Sequence, residues 1–257
     1  MFQHNFDPVA LSIGPISIYW YGLVYASGFL FLYWYLSRFN NELTGEAVDD
    51  YLVWAILGML AGSRLFTFTF WYPDQLLVNP LRFFAIWQGG MSFHGGFAGM
   101  TVATWLFTWR RNLDFYDIAD HIVVPAGVFL GLGRMANFIN AELIGTPYNG
   151  AWCVSYPAER MQALGLTDVC RHPYQVYAAV KNAALTPLLY TANIVYALPS
   201  GTLFWGFTWL YSVARILVDT YRVEPSIILG LSMGQLLSLV FAAVSSYMLI
   251  RVHQHNE

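Results

Sequence analysis

What this sequence has least of is charge. Charged side chains make up 11% of its 257 residues, less than half the share of roughly 25% carried by soluble domains, so no large water-exposed domain is expected. A formal net charge of -3 excludes a general grip on a polyanion; nucleic acid is not an expected partner, and any recognition of an anion has to be local. Residues 1–15 carry no basic run, include Asp7 and precede a long apolar segment. That is unlike a cleaved signal peptide and makes the first helix its own expected insertion signal. Metal-ligand spacing is also missing: His253 and His255 lie in a polar tail, and the adjacent Asp120 and His121 point to different sides of a helix, so no metal site is expected. No internal repeat and no low-complexity tract is visible.

What is there instead is apolar length. Hydrophobic residues make up 57% and aromatics 18% of the chain, and a bilayer core needs about 20 mostly apolar residues per helix. Seven runs qualify: residues 16–36, 51–71, 91–109, 117–139, 174–198, 202–221 and 227–250. The expected fold is therefore an all-α integral membrane protein, one membrane domain spanning residues 1–257. It is a bundle of about seven transmembrane helices with a small extracytoplasmic head, residues 140–173, between helices 4 and 5. The glycine-rich stretch 89–96 reads either as a re-entrant segment or as a helix start.

Orientation follows from the short loops. Arg38, Arg110, Arg111 and Arg251 fall on one side, and Arg82, Arg160, Arg171 and Arg222 on the other. The adjacent Arg110 and Arg111 lie in a very short loop, where basic charge binds orientation most tightly, so the N-terminus is expected outside and the C-terminus in the cytoplasm. Cys153 and Cys170 then share an extracytoplasmic loop in which a disulfide can persist; bridge and separate thiols are both open. Trp20, Trp71, Trp87 and Trp152 suit an interfacial belt. Glycine pairs four apart, Gly58/Gly62, Gly95/Gly99, Gly127/Gly131 and Gly230/Gly234, read as packing devices that let helices approach closely.

Ionisable groups at membrane depth are costly, so each one is a functional candidate. They are Arg64, His94, Asp120, His121, Arg134, Glu142, Lys181, Arg215 and Asp219. The densest constellation is residues 133–145, where Arg134 and Asn137, three apart, share a helix face and can present a guanidinium fork and an amide to one anion. Asn140 and Glu142 follow at the expected helix end. A buried Arg134–Glu142 pair pinning that end is the competing reading. Tyr211, Arg215 and Asp219, spaced by four, line one face of the sixth span, with a structural Arg–Asp pair again the alternative. His94 stands between Gly90 and Gly95-Gly96, and imidazole suits thiol deprotonation near neutral pH; hydrogen bonding to a phosphate is an equally open role. His172 is expected to be structural.

Residues 133–145 are similar, without mismatch, to the pattern GRx(A/G)NFxNxExxG of the prolipoprotein diacylglyceryl transferases. Further segments extend the resemblance in the family's order: Gly14-Pro15 leading to Tyr19-Trp20-Tyr21-Gly22-Leu23, Gly89 to Gly96, Arg171-His172-Pro173-Tyr174-Gln175-Val176-Tyr177, and Ser232-Met233-Gly234-Gln235. The resemblance covers nearly the whole chain. It implies a seven-helix enzyme of the prokaryotic cytoplasmic (inner) membrane, multi-pass, with its active site toward the outer side. Its implied reaction takes diacylglyceryl from phosphatidylglycerol to the lipobox cysteine of a preprolipoprotein signal peptide, forming a thioether and releasing glycerol phosphate without any cofactor. The implied catalytic set is His94, Arg134, Tyr211 and Arg215; the implied lipid-binding set is Tyr21, Asn137, Asn140, Glu142, Gly145 and Asp219. Tyr19 stands where many members carry histidine, and Ala178 where a glutamate is common. Those departures keep open a catalytically divergent phospholipid-binding protein on the same scaffold; a channel or secondary transporter ranks last, because no repeat relates the two halves.

Overall fold

The computed structural model describes residues 1–14, 16–40, 43, 45–86 and 89–254; Pro15, Trp87 and His255 lie outside the described residues. Among these the helices are α1 (Trp20–Phe39), α2 (Glu46–Phe70), α3 (Pro73–Val78), α4 (Phe93–Arg111), α5 (Phe115–Ile139), α6 (Ala158–Ala163), α7 (Tyr174–Tyr196), α8 (Thr202–Val218) and α9 (Met233–Gln254). Seven of them are 17 to 25 residues long. At about 1.5 Å per residue they reach the scale of a hydrocarbon core of about 30 Å. By length and composition α2, α5 and α9 are apolar enough to cross a membrane. Large apolar side chains face outward along the helices, with Leu30 71%, Trp109 72% and Tyr196 73% exposed. Water would penalise such a surface, and lipid does not.

Each predicted run falls on a long helix, but two runs begin in hairpins. β2 (Val9–Ile13) pairs antiparallel with β3 (Ile16–Tyr19), and β5 (Ser226–Ile228) with β6 (Leu231–Ser232). Apolar content alone does not separate a hairpin from a helix end; the turns at Gly14 (φ 58) and Gly230 (φ 76) do. Gly230 is thus a turn residue and not half of a packing pair, which corrects that expectation. The stretch 89–96 resolves into a helix start: α4 begins at Phe93, with the Ser92 hydroxyl accepting from Gly95 N at 3.4 Å.

Successive long helices run antiparallel, and small residues set their spacing. A Cβ on Gly58 of α2 would sit 2.7 Å from the Gly99 carbonyl oxygen of α4. One on Gly127 of α5 would sit 2.7 Å from the Asn182 carbonyl oxygen of α7. Backbones this close leave no room for a side chain. The alternation gathers the N-terminal ends of α1, α4, α7 and α9 and the C-terminal ends of α2, α5 and α8 at one end of the bundle.

Between α5 and α7 the chain folds into a small unit, and the N-terminus joins it: β1 (Phe2–Gln3) pairs in parallel with β4 (Val154–Ser155). His4 Nε2 lies 2.6 Å from the Phe138 carbonyl oxygen. Phe138, Ala141, Ile144, Val154, Tyr156 and Met161 form its apolar core. Cys153 and Cys170 are joined by a disulfide, with Cα atoms 5.5 Å apart. Sequence reasoning confined this unit to residues 140–173; strand pairing adds the first residues of the chain.

Candidate active site

The gathered end of the bundle holds the cations. On α8, the four-residue spacing puts Tyr211, Arg215 and Asp219 on one buried face. Arg215 Nε donates to Asp219 Oδ2 at 3.0 Å, and Arg215 Nη1 donates to the Tyr211 hydroxyl at 3.2 Å. Asp219 Oδ1 accepts from the Tyr174 hydroxyl of α7 at 2.5 Å. Of the five N–H donors on a guanidinium, three on Arg215 have no partner among the described residues. Nη2, which carries two of them, faces the start of α9, where a Cβ on Gly234 would come within 2.9 Å of it; glycine there leaves the guanidinium its space. Helix α9 is fixed by a reciprocal cap, Ser232 N to Gln235 Oε1 at 3.0 Å and Gln235 N to Ser232 Oγ at 3.3 Å. Gln235 Nε2 also donates to the Ile216 carbonyl at 3.0 Å, tying α9 to α8.

His94, in the first turn of α4, is buried with its Nε2 2.9 Å from Ser238 Oγ of α9. The Ser238 hydroxyl donates its single proton to the Gly234 carbonyl at 2.8 Å, so it accepts from His94 Nε2–H. Nδ1 is left with a lone pair and no partner among the described residues. The charges of Arg215, Arg134 and Lys181 all act on this imidazole.

At the end of α5, Arg134 Nη1 donates to Asn137 Oδ1 at 3.3 Å, and Asn137 Nδ2 donates to Glu142 Oε2 at 2.8 Å. Asn140 Nδ2 holds the other carboxylate oxygen at 3.4 Å, while its own Oδ1 is buried without a partner among the described residues. The Arg134–Glu142 ion pair considered from sequence does not form; Asn137 stands between them, and no carboxylate of the described residues lies within 4.0 Å of Arg134. Tyr21, on α1, has its hydroxyl 3.3 Å from that of Tyr25, which lies within electrostatic reach of Arg134. Gly145 is buried in the small unit against the His172 carbonyl, and its own carbonyl accepts from Arg171 Nη1 at 3.2 Å. It shapes the backbone there.

Other candidates are structural. Arg64 donates to the Phe83 carbonyl at 2.8 Å and to those of Arg82, Gly89 and Gly90, holding the loop before α4. Asp120 accepts from Gly201 N at 2.7 Å and Phe204 N at 2.8 Å, capping α8; it sits about 20 Å along α5 from Arg134 at 1.5 Å per residue. His121 Nδ1 is 2.5 Å from the Asp117 carbonyl oxygen. His172 stacks on Tyr148, ring centroids 4.0 Å apart. Sequence reasoning gave Tyr174 and Ser238 no part. Tyr174 was visible in the Arg-His-Pro-Tyr segment; Ser238, 144 residues from His94, had no local signal.

Fold and polar cluster together define a helical membrane protein whose bundle holds cations in excess of carboxylates beside an imidazole. The family model for prolipoprotein diacylglyceryl transferase matches residues 8–251. Proteins named phosphatidylglycerol–prolipoprotein diacylglyceryl transferase are similar over nearly their full length. The one from Rhodospirillum centenum is 38% identical over 95% of this chain and 91% of its own. The one from Xanthomonas axonopodis pv. citri is 36% identical over 97% and 92%, and that from Allorhizobium ampelinum 38% over 96% and 90%. The chain belongs to the prolipoprotein diacylglyceryl transferase family.

Proposed function

We propose that this chain transfers the diacylglyceryl group of phosphatidylglycerol to the lipobox cysteine thiol of preprolipoproteins, in a prokaryotic cytoplasmic membrane. All seven long helices cross the bilayer, the N-terminus and the disulfide-linked unit of residues 140–173 lie outside, and the C-terminus is cytoplasmic. The observation that supports the reading is that Arg134 and Arg215 both lie within electrostatic reach of His94, with spare guanidinium donors and, among the described residues, a single carboxylate, Asp219, bound to either arginine.

The chemistry follows. The thiol proton passes to His94 Nδ1, the sulfur attacks the glycerol carbon of the lipid, and the carbon–oxygen bond to phosphate breaks with its electron pair going to oxygen. The released glycerol phosphate has gained one negative charge. Arg134 and Arg215 bind that phosphate; preorganised donors in a water-poor site contribute about 3 to 4 kcal/mol to such a step. Asp219 and Tyr211 fix the Arg215 fork, Asn137 orients Arg134, and Asn140 and Glu142 hold Asn137. Tyr21 lines the lipid side. The departures at Tyr19 and Ala178 remove no group this scheme uses.

The test is lipidation by the purified protein in phosphatidylglycerol vesicles with a lipobox peptide, read as a diacylglyceryl mass increment on the peptide cysteine. Phosphatidylglycerol binding without any increment would favour the non-enzymatic lipid-binding alternative.

A further inference from the structure

Lys181 is the only lysine in the chain; the other eleven basic residues are arginines. It lies about two turns into α7 and sets its ammonium on the Tyr211 ring, Nζ 4.0 Å from the centroid. The hydroxyl of that tyrosine accepts from Arg215, so one aromatic side chain carries two cations. Arg134 and Arg215 both act on the Lys181 charge, and Asp219 is the carboxylate that offsets it. The three ammonium donors meet no acceptor among the described residues, and no carboxylate among them lies within 4.0 Å. With Glu142 taken by Asn137 and Asn140, and Arg222 paired with Glu224, Arg134, Arg215 and Lys181 share Asp219 among the described residues. Surplus positive charge withdrawn from water is costly, and a phosphate anion placed among these groups offsets that cost.

We propose that Lys181 is a third cationic ligand of the lipid phosphate, a catalytic residue beyond the arginine pair; the assignment rests on the transferase reading above. The two arginines are held, by Asn137 on α5 and by Asp219 and Tyr211 on α8. Lysine differs: a compact charge on a four-carbon stem, tied to a ring face, can leave it and follow a phosphate whose charge rises from one to two as the carbon–oxygen bond breaks. Its contribution is then made mostly in the transition state and in binding the product dianion, so its loss lowers kcat more than it raises KM.

The experiment compares wild type, Lys181→Met, Lys181→Arg and Arg134→Ala in phosphatidylglycerol vesicles, with glycerol phosphate as inhibitor. Lys181→Met is expected to lose about tenfold or more in kcat and in glycerol phosphate affinity, with the peptide KM within about twofold, and Lys181→Arg to recover much of both. Lys181→Met within about twofold of wild type on both measures, beside an inactive Arg134→Ala, overturns the proposal and leaves the transferase reading intact. An inactive wild type removes both. Because Lys181 is the only side-chain amine, wild-type protein gives a second measure that needs no variant. Glycerol phosphate should slow acetylation of Lys181 relative to the N-terminus, and equal rates with and without it also overturn the assignment.

Discussion

Ser238 accepts a hydrogen bond from His94 Nε2 at 2.9 Å because its own proton is committed to the Gly234 carbonyl at 2.8 Å. The bond leaves the Nδ1 lone pair free, as the proposed transfer of the thiol proton requires. Ser238→Ala removes the acceptor and frees the imidazole to change tautomer. Lipidation is expected to fall about 10-fold to 100-fold in kcat, with little change in the amount of folded protein. His94→Gln should abolish it; full activity in both would dismiss the imidazole as base.

Arg134→Ala and Arg215→Ala should each cost on the order of 100-fold or more in kcat. Arg215→Lys should not rescue, because lysine cannot reach Asp219, Tyr211 and a phosphate with one fork. Single-turnover mass measurement of the peptide distinguishes these losses from slow product release. Retained lipidation in both alanine variants would end the transferase reading.

The α2–α4 contact tolerates no side chain. Gly58→Val, whose Cβ would lie 2.5 Å from that of Ala103, should destabilise by about 1 to 3 kcal/mol and lower the yield of monodisperse protein. Gly206→Ala, with only Leu189 at 3.5 Å, should be tolerated. Equal yields of the two variants would contradict the close approach.

The Cys153–Cys170 bridge closes a loop with a sequence separation of 17. Its removal is expected to cost the outer unit about 3 kcal/mol. Non-reducing mass spectrometry should find no free thiol in wild type, and the double serine variant should be cut faster by protease within residues 140–173.

Burial pushes His172 below its ordinary value of about 6.5. Between the lowered folded value and about 6.5 the unfolded chain binds more protons, so stability rises with pH in that window and falls as acid is added. The thermal stability of the outer unit should fall below about pH 6.5 in wild type. His172→Gln should flatten that dependence, and an unchanged slope would show that another group controls it.

Much of the site was legible because helical periodicity is local. Tyr211, Arg215 and Asp219 share a face whatever surrounds α8, and so do Arg134 and Asn137 on α5. Likewise, apolar runs long enough for a bilayer identify the long helices before any packing is known. Hairpins at the starts of two runs escaped notice because apolar content is the same in both conformations, and only the turn glycines mark them.

What the sequence by itself determined is the set of membrane-length helices, the few charges placed in them and the family they belong to. What only the tertiary structure decided is which faces meet: Asn137 between Arg134 and Glu142, Tyr174 on Asp219, Ser238 on His94, and the N-terminal strand beside Val154. The Tyr174–Asp219 and Ser238–His94 pairings join different helices, whose spacing depends on how closely small residues let backbones approach, an energy shared among distant segments and absent from any local pattern.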